Sequence, residues 1–301
     1  EIMPSLVGSE MCIRDRTKPK LSFWQIWNLS FGFLGVQIGY SLQNSNTSSI
    51  FESLGADVSH LSYFWLAAPL AGMIVQPIVG LFSDGTWTRW GRRIPYILGG
   101  SLISTLALVL MPNCPKLLAF APLAMGAFIL LFMDLSFNVT MQPFRALVAD
   151  MLDDSQKTQG YVVQTFLINL GAVVGAILPL VMTWLGVSDE AAPGHVSPHI
   201  AYSYYAGGAI LLLTVLVTSF KTREYPPGEF ARYNNLSEED AKPMSFVGLM
   251  RNVPGVMVRL GVTQFFSWAA LFLMWTYLKP AITGVAVSYT HLRAHETRHD
   301  L

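Results

Sequence analysis

Long apolar stretches separated by short polar breaks dominate the chain. Seven of them approach or exceed the roughly 20 residues that an α-helix needs to cross a bilayer; they cover 23–43, 61–82, 94–111, 117–149, 161–187, 202–220 and 253–278. Core helices of soluble proteins imitate one or two such stretches, but seven in succession leave too little polar surface for a soluble fold. The pattern therefore predicts an all-α, multi-pass membrane protein.

The connections between these stretches differ in positive charge. Lysine and arginine concentrate on the cytoplasmic side of membrane proteins, and only Lys116 falls in the three connections on the opposite side. We therefore predict a cytoplasmic N-terminus in the plasma or inner membrane. The cations on the predicted cytoplasmic side are Lys18, Lys20, Arg89, Arg92, Arg93, Lys157, Lys221, Arg223, Arg232, Lys242 and Arg251.

The spacing of the stretches predicts two unequal domains. Residues 17–220 hold six spans, 221–252 form a polar linker rich in Pro, Glu and Asn, and 253–286 begin a second set with a seventh span. Six spans followed by a linker and a new set are typical of major facilitator transporters, whose halves are parallel repeats. The expected fold is the N-terminal six-helix bundle of that superfamily plus the first helix of the C-terminal bundle.

Both ends of the chain are interpreted as adapter-derived artefacts, over 1–16 and 287–301. The stretches 6–16 and 287–297 can be back-translated to DNA that contains AGATGTGTATAAGAGACAG and CTGTCTCTTATACACATCT, reverse complements that resemble the transposase adapter of sequencing libraries. We therefore expect the natural segment to be a fragment spanning about 17–286. Cys12 lies in the adapter, so Cys114 stands alone and predicts neither a disulfide nor a cysteine metal site.

Composition supports a membrane protein and excludes several functions. The 301 residues are 52% hydrophobic and 13% charged, about half the charged share of a soluble domain. Nineteen basic and nineteen acidic residues leave no net charge, which argues against a nucleic-acid partner. No zinc-protease, paired-cysteine, phosphate-loop or nucleophile-elbow motif is present, so we predict no enzyme activity, no cofactor and no metal.

The most specific motif follows the second span. Gly80 and Asp84 are followed by six residues and then by Gly91, Arg92 and Arg93. This pattern resembles major facilitator transporters, and its wide spacing resembles the sucrose and maltose proton symporters, which are allied to the glycoside-pentoside-hexuronide cation symporters. Residues 35–43, 72–80 and 145–150 agree with that branch. The resemblance implies that this loop is a cytoplasmic latch between the two halves.

Each residue of the latch motif has a physical interpretation. A glycine at position 80 lets the helix approach a neighbour closely. Asp84 is expected at a helix N-terminus or facing an arginine. The alternative for Arg92 and Arg93 is that they only anchor the topology.

The fourth span carries the coupling candidate. Asp134 lies deep in an apolar run, where an ionised carboxylate costs several kcal/mol unless it is paired or protonated. Arg145 lies eleven residues further on and Asn138 four, so all three share one helix face, with Arg145 roughly 16 Å from Asp134 along the axis. The resemblance implies that Asp134 is the protonation site and that Arg145 is required for transport.

Both coupling residues also have structural alternatives. Asp134 would then be a carboxylate tied to another helix, and Arg145 would anchor the cytoplasmic end of the span or pair with Asp150.

Candidate sugar ligands occur in the first and seventh spans. Gln37, Tyr40, Ser41 and Asn44 recur at helical spacing, and hydroxyls and amides of this kind bind sugar hydroxyls. Aromatic rings pack against the apolar face of a pyranose. Polar stripes also hold membrane helices together, and aromatic residues also form interfacial belts. The candidates in the seventh span are Gln264, Trp268, Trp275 and Tyr277.

The expected function of the whole protein is proton-coupled import of a disaccharide such as maltose or sucrose by alternating access. The expected partners are the sugar, the proton and membrane lipid, with the protein as a monomer. A sodium-coupled glycoside symporter and a non-transporting sugar sensor are the alternatives.

Overall fold

The structure is a computed structural model that describes residues 18–55, 61–118, 120–191, 194–234, 248 and 253–281, without the side chains of 61–71, 272–273 and 275–281. Within these residues the regular structure is helical, apart from one isolated β-bridge between Thr88 and Gly91. The helices are α1 (Phe23–Ser53), α2 (Leu61–Gly85), α3 (Ile94–Leu110), α4 (Cys114–Leu117), α5 (Pro122–Met151), α6 (Asp154–Trp184), α7 (Pro198–Lys221), α8 (Pro227–Tyr233) and α9 (Gly255–Ala281).

The seven apolar stretches fall in helices, and the all-α membrane fold is confirmed. In the described residues, four helical segments are long and apolar enough to cross a membrane: Ile94–Leu117, Pro122–Met151, Asp154–Trp184 and Pro198–Lys221. Some helices are longer than the apolar stretches that predict them, because capping interactions and not hydrophobicity set their ends. Helix α1 begins with a capping box between Ser22 and Gln25 and continues through polar residues to Ser53. The predicted stretch 117–149 is interrupted between Leu117 and Pro122.

The first bundle is organised around α1. This helix packs mainly against α6 and α7, while α5 packs against α2 and α3. Gly171 and Gly175 of α6, predicted as a close-packing pair, permit the α1 crossing. A Cβ at Gly171 would lie 2.5 Å from the Leu34 carbonyl oxygen, and one at Gly175 would lie 2.5 Å from the Ile38 carbonyl oxygen. Larger residues there would force the two backbones apart.

The chain divides into two compact units, Glu1–Pro243 and Met244–Leu301. The first contains α1 to α8 and the second contains α9. The adapter segments predicted at 1–16 and 287–301 lie outside the described residues.

Candidate functional site

The central polar feature of the first bundle is a buried pair between α1 and α5. Asp134 is 2% exposed, and the Gln43 side-chain amide, which is fully buried, donates a hydrogen bond to its Oδ1. Asp134 Oδ2 and Gln43 Oε1 are also buried, and neither has a hydrogen-bond partner among the described residues. No cation pairs with Asp134 in that part of the chain. The site can therefore hold a proton with little competition from other charges.

A second amide pair continues the polar line down α5. Asn138 donates to the Asp134 carbonyl oxygen at 2.8 Å and accepts from Gln76 of α2 at 2.7 Å. Asn138 and Asp134 are therefore close, as predicted, because they are one turn apart on α5 and joined by this hydrogen bond. Gln76 and Gln43 bring α2 and α1 to the same face of α5.

Arg145 lies on α5 beyond Pro143, through which the helix continues. Its side chain is exposed. Asp150, the pairing partner considered for it, instead contacts Arg92 and Arg93. Within the described residues Arg145 forms no ion pair.

The four polar candidates of α1 separate into different environments. Ser41 donates to the Ala172 carbonyl oxygen of α6 at 2.7 Å, and Gln37 packs beside Gly171, so both lie at the α1–α6 crossing. Tyr40 packs edge-on against Phe137 of α5 with ring centroids 5.7 Å apart. Asn44 is exposed. Ser41 therefore makes a helix-packing contact of the kind considered as the alternative.

The candidates of the seventh span lie on α9. Gln264, Trp268 and Trp275 follow one another at intervals of four and seven residues, which places them on one helix face. The side chains of Trp275 and Tyr277 lie outside the described part of the chain.

The latch motif forms a second polar site, here called the loop charge cluster: Asp84, Arg92, Arg93, Asp150 and Glu224. Arg93 contacts Asp84 at 2.5 Å and Asp150 at 2.9 Å, and Arg92 also contacts Asp150. The two arginine side chains are only 8% and 7% exposed. Asp84 lies at the C-terminal end of α2 and faces arginine, one of its two expected environments.

Glu224, beyond the end of α7, caps the start of α3. Its carboxylate accepts hydrogen bonds from the backbone N–H groups of Arg92, Arg93 and Ile94, at 2.8 to 3.1 Å. Burial raises the pKa of Glu224, and nearby Asp150 adds to the rise, while the three N–H groups oppose it. Gly91 has a φ of +114°, and a Cβ there would meet the Glu224 carboxylate at 2.6 Å. Glycine is therefore required at this turn on both counts.

Aromatic rings complete the surroundings of Arg92. Its guanidinium carbon lies 4.1 Å from the centroid of Phe230 in α8 and 5.6 Å from that of Trp87. Gly80, expected to permit a close approach, has no described atom within 4 Å of the place where a Cβ would stand. In the first bundle, the close contact predicted at Gly80 is therefore not made by the described residues.

Sequence reasoning overlooked four residues of these sites. Gln76 carries a usable signal, because it is the lone amide in its predicted apolar span. Gln43 carries a weaker one, because its predicted span also contains Gln25, Asn28 and Gln37. Asp150 was considered only as a partner of Arg145. Glu224 has no local signal, because its partners lie about 130 residues away in the chain.

The family profile described as "MFS/sugar transport protein" matches residues 50–289. The chain is 25% identical over 304 aligned residues to the general alpha-glucoside permease of Schizosaccharomyces pombe, covering 94% of this chain and 52% of the permease.

Plant sucrose transport proteins are similar as well. One from Oryza sativa subsp. japonica is 27% identical over 267 residues, covering 79% of this chain and 49% of that protein. Another, from Arabidopsis thaliana, is 31% identical over 157 residues, covering 47% of this chain and 26% of the relative. The chain thus spans about half the length of the first two of these relatives.

Proposed function

Because the chain belongs to the MFS/sugar transport protein family, a family of membrane transporters rather than enzymes, we propose that the whole protein imports a disaccharide together with a proton. The maltose- or sucrose-like substrate is proposed from the alpha-glucoside and sucrose names of its relatives. Transport would proceed by alternating access between two bundles of which this chain contains one and the beginning of the other.

The observation that carries the proton coupling is the unbalanced carboxylate of Asp134. Gln43 occupies Oδ1, so Oδ2 is the oxygen open to a proton. An ionised Asp134 would be a buried charge with one hydrogen bond and no cation, which costs several kcal/mol. Protonation removes that cost and lets the helices around the site close. Loss of the proton toward the cytoplasm would then reset the carrier.

Arg145 is proposed as the second coupling residue. It is an exposed cation on the same face of α5 as Asp134 and is not paired within the described residues. Such a group can lower the free energy of the deprotonated carrier once the bundle rearranges. Arg145→Lys should therefore retain part of the coupled uptake that Arg145→Gln loses.

The proposed sugar ligands are the α1 side chains Gln37, Tyr40, Ser41 and Asn44, with Asn138 of α5 and the α9 side chains Gln264, Trp268 and Trp275. Tyr40 and Asn138 have the strongest support, because Tyr40 packs against Phe137 of α5 and Asn138 donates to the Asp134 carbonyl oxygen. The latch motif, made of Gly80, Asp84, Gly91, Arg92 and Arg93, is proposed as the cytoplasmic latch.

Sugar-driven alkalinisation by cells that carry the full-length gene tests the coupling. Asp134→Asn keeps an acceptor for Gln43 and mimics the protonated acid, so we expect sugar exchange to persist while alkalinisation and accumulation are lost. Glu52→Gln, which removes an exposed carboxylate at the end of α1, is the matched control and should leave both unchanged. Undiminished coupled uptake by Asp134→Asn would refute the role of Asp134.

Sodium coupling is favoured by one feature, the two unpartnered oxygens Gln43 Oε1 and Asp134 Oδ2, since sodium binds oxygen ligands. Replacing sodium with choline at constant pH decides between the ions. We expect uptake to be unaffected, and its loss would assign the site to sodium. A sugar sensor would instead bind sugar saturably without counterflow in proteoliposomes.

A further inference from the structure

A cavity of about 740 Å³ opens where the α2–α3 loop meets the end of α7. The loop contributes Trp87, Arg89 and Trp90 to its wall, and the α7 end contributes Ser219, Phe220 and Arg223. It is separate from the Asp134 pair and borders the loop charge cluster through Glu224.

The charge of the cavity favours an anion. Arg89 and Arg223 are both exposed, and neither forms an ion pair with any described residue. Glu224 also lines the wall, but its two oxygens accept backbone N–H groups at the start of α3. The two guanidinium groups thus remain available for phosphate, which they bind in a planar, bidentate way.

A buried hydroxyl adds a specific donor. Ser219 Oγ is shielded from solvent and has no hydrogen-bond partner among the described residues. Buried hydroxyl groups are rarely left without a partner in folded proteins. A phosphate oxygen in the cavity would satisfy it.

The outer face of α7 shows which kind of phosphate fits. Tyr202, Leu213 and Phe220 are 54%, 63% and 75% exposed, and intervals of eleven and seven residues place them on one side of the helix. This apolar stripe faces away from the bundle core and ends at the cavity. A soluble phosphate compound has no apolar chain that could contact this stripe, whereas the acyl chain of a phospholipid would cover it.

We propose that this cavity binds the phosphate headgroup of an anionic phospholipid, with an acyl chain lying along the exposed stripe of α7. Arg89 and Arg223 hold the phosphate, and Ser219 donates to it. Trp87 and Trp90 lie at headgroup level, where tryptophan is favoured. The positive-charge bias puts this loop on the predicted cytoplasmic side, the side whose lipids are the more anionic.

Native mass spectrometry of the full-length protein, titrated with phosphatidylglycerol or phosphatidylcholine, tests the site. We expect phosphatidylglycerol to bind more tightly, and its apparent affinity to fall about fivefold for Arg89→Gln and again for Arg223→Gln. Replacing both arginines with lysine keeps the charge but loses the bidentate hydrogen bonds, so the double lysine variant should bind more weakly than the wild type and more tightly than the double glutamine variant. Lys20→Gln, which removes an exposed cation elsewhere on the predicted cytoplasmic side, should leave it unchanged.

Three results would overturn the assignment. They are equal affinity for the two lipids, an equal loss in Lys20→Gln, and displacement of phosphatidylglycerol by an equal concentration of glycerol 3-phosphate, which would indicate a soluble ligand. Should the double glutamine variant fail to fold, Ser219→Ala decides, since it must weaken phosphatidylglycerol binding without changing the melting temperature.

Discussion

Asp134 and Asp150 are carboxylates on the same helix in opposite electrostatic surroundings. Asp150 contacts two nearly buried arginines, which Asp84 also neutralises. Asp134 is more deeply buried and has a single amide donor. A carboxylate that is paired with arginines, such as Asp150, can hold loops in place as an ion. A buried carboxylate without a cation, such as Asp134, is stable only when it binds a proton or another cation. The proposed proton coupling at Asp134 rests on this difference.

The largest effect is expected from breaking the compensated site. Among the described residues, Asp150→Ala leaves Asp84 as the remaining ion-pair partner of the nearly buried Arg92 and Arg93, and removing one partner of a buried ion pair costs about 3–5 kcal/mol. The free energy of unfolding in mixed detergent micelles measures it. Asp154→Ala, which removes an 88% exposed partner of Lys157, should cost about 0.5 kcal/mol or less. Similar losses in the two variants would contradict the contrast.

The uncompensated site should behave differently when one or both partners are removed. Gln43→Leu strands the Asp134 carboxylate and should lower the free energy of unfolding by about 1–3 kcal/mol. The double variant Gln43→Leu with Asp134→Leu removes both polar groups and should cost less than the single one. Gln76→Leu breaks a bond to a neutral amide and serves as the control, with a loss of about 1 kcal/mol. A double variant less stable than Gln43→Leu would mean that Asp134 has a stabilising partner.

A smaller effect is expected at the aromatic wall of the loop charge cluster. Phe230→Leu keeps apolar bulk beside Arg92 but removes the ring that lies 4.1 Å from its guanidinium carbon. The expected loss in unfolding free energy is about 0.5–1 kcal/mol. Phe128→Leu changes a ring that is 57% exposed on α5 and should lose less. Equal losses of unfolding free energy in Phe230→Leu and Phe128→Leu would mean that the cation–π contact with Arg92 does not stabilise the protein.

The smallest effect concerns the pH dependence at Glu224. Burial raises its pKa in the folded protein, so the unfolded chain ionises first as the pH rises. Across the interval between the ordinary and the raised pKa, Glu224 therefore makes the wild type lose stability with increasing pH, and this loss is complete above the raised pKa. Glu224→Gln should remove this pH-dependent loss. Its total across the interval should be smaller than the loss of unfolding free energy expected for Phe230→Leu.

Unfolding measured from pH 4 upward checks the Glu224 slope. Glu229→Gln removes an exposed carboxylate on α8 and should retain the wild-type slope. A slope unchanged by Glu224→Gln, or flattened as much by Glu229→Gln, would rule out the buried carboxyl group as its source.

Local patterns were sufficient for the helical fold and for the close packing at Gly171 and Gly175, because apolar runs and glycine spacing are properties of neighbouring positions. They were insufficient at the helix ends. Helix α1 runs on to Ser53 and α6 begins at Asp154, since backbone hydrogen bonds and caps continue where hydrophobicity stops. They also gave no sign that the Ser41 hydroxyl donates to the Ala172 carbonyl oxygen of α6.

The sequence alone determined that the chain is a set of membrane helices with an acid buried in one of them, because lipid demands long apolar segments and makes an isolated carboxylate conspicuous. Only the tertiary structure decided which acid is neutralised and which is not. Gln43 reaches Asp134 and Glu224 reaches the start of α3 across 91 and about 130 residues of chain. Such pairs form where helices cross, and the crossing is set by how the whole bundle packs.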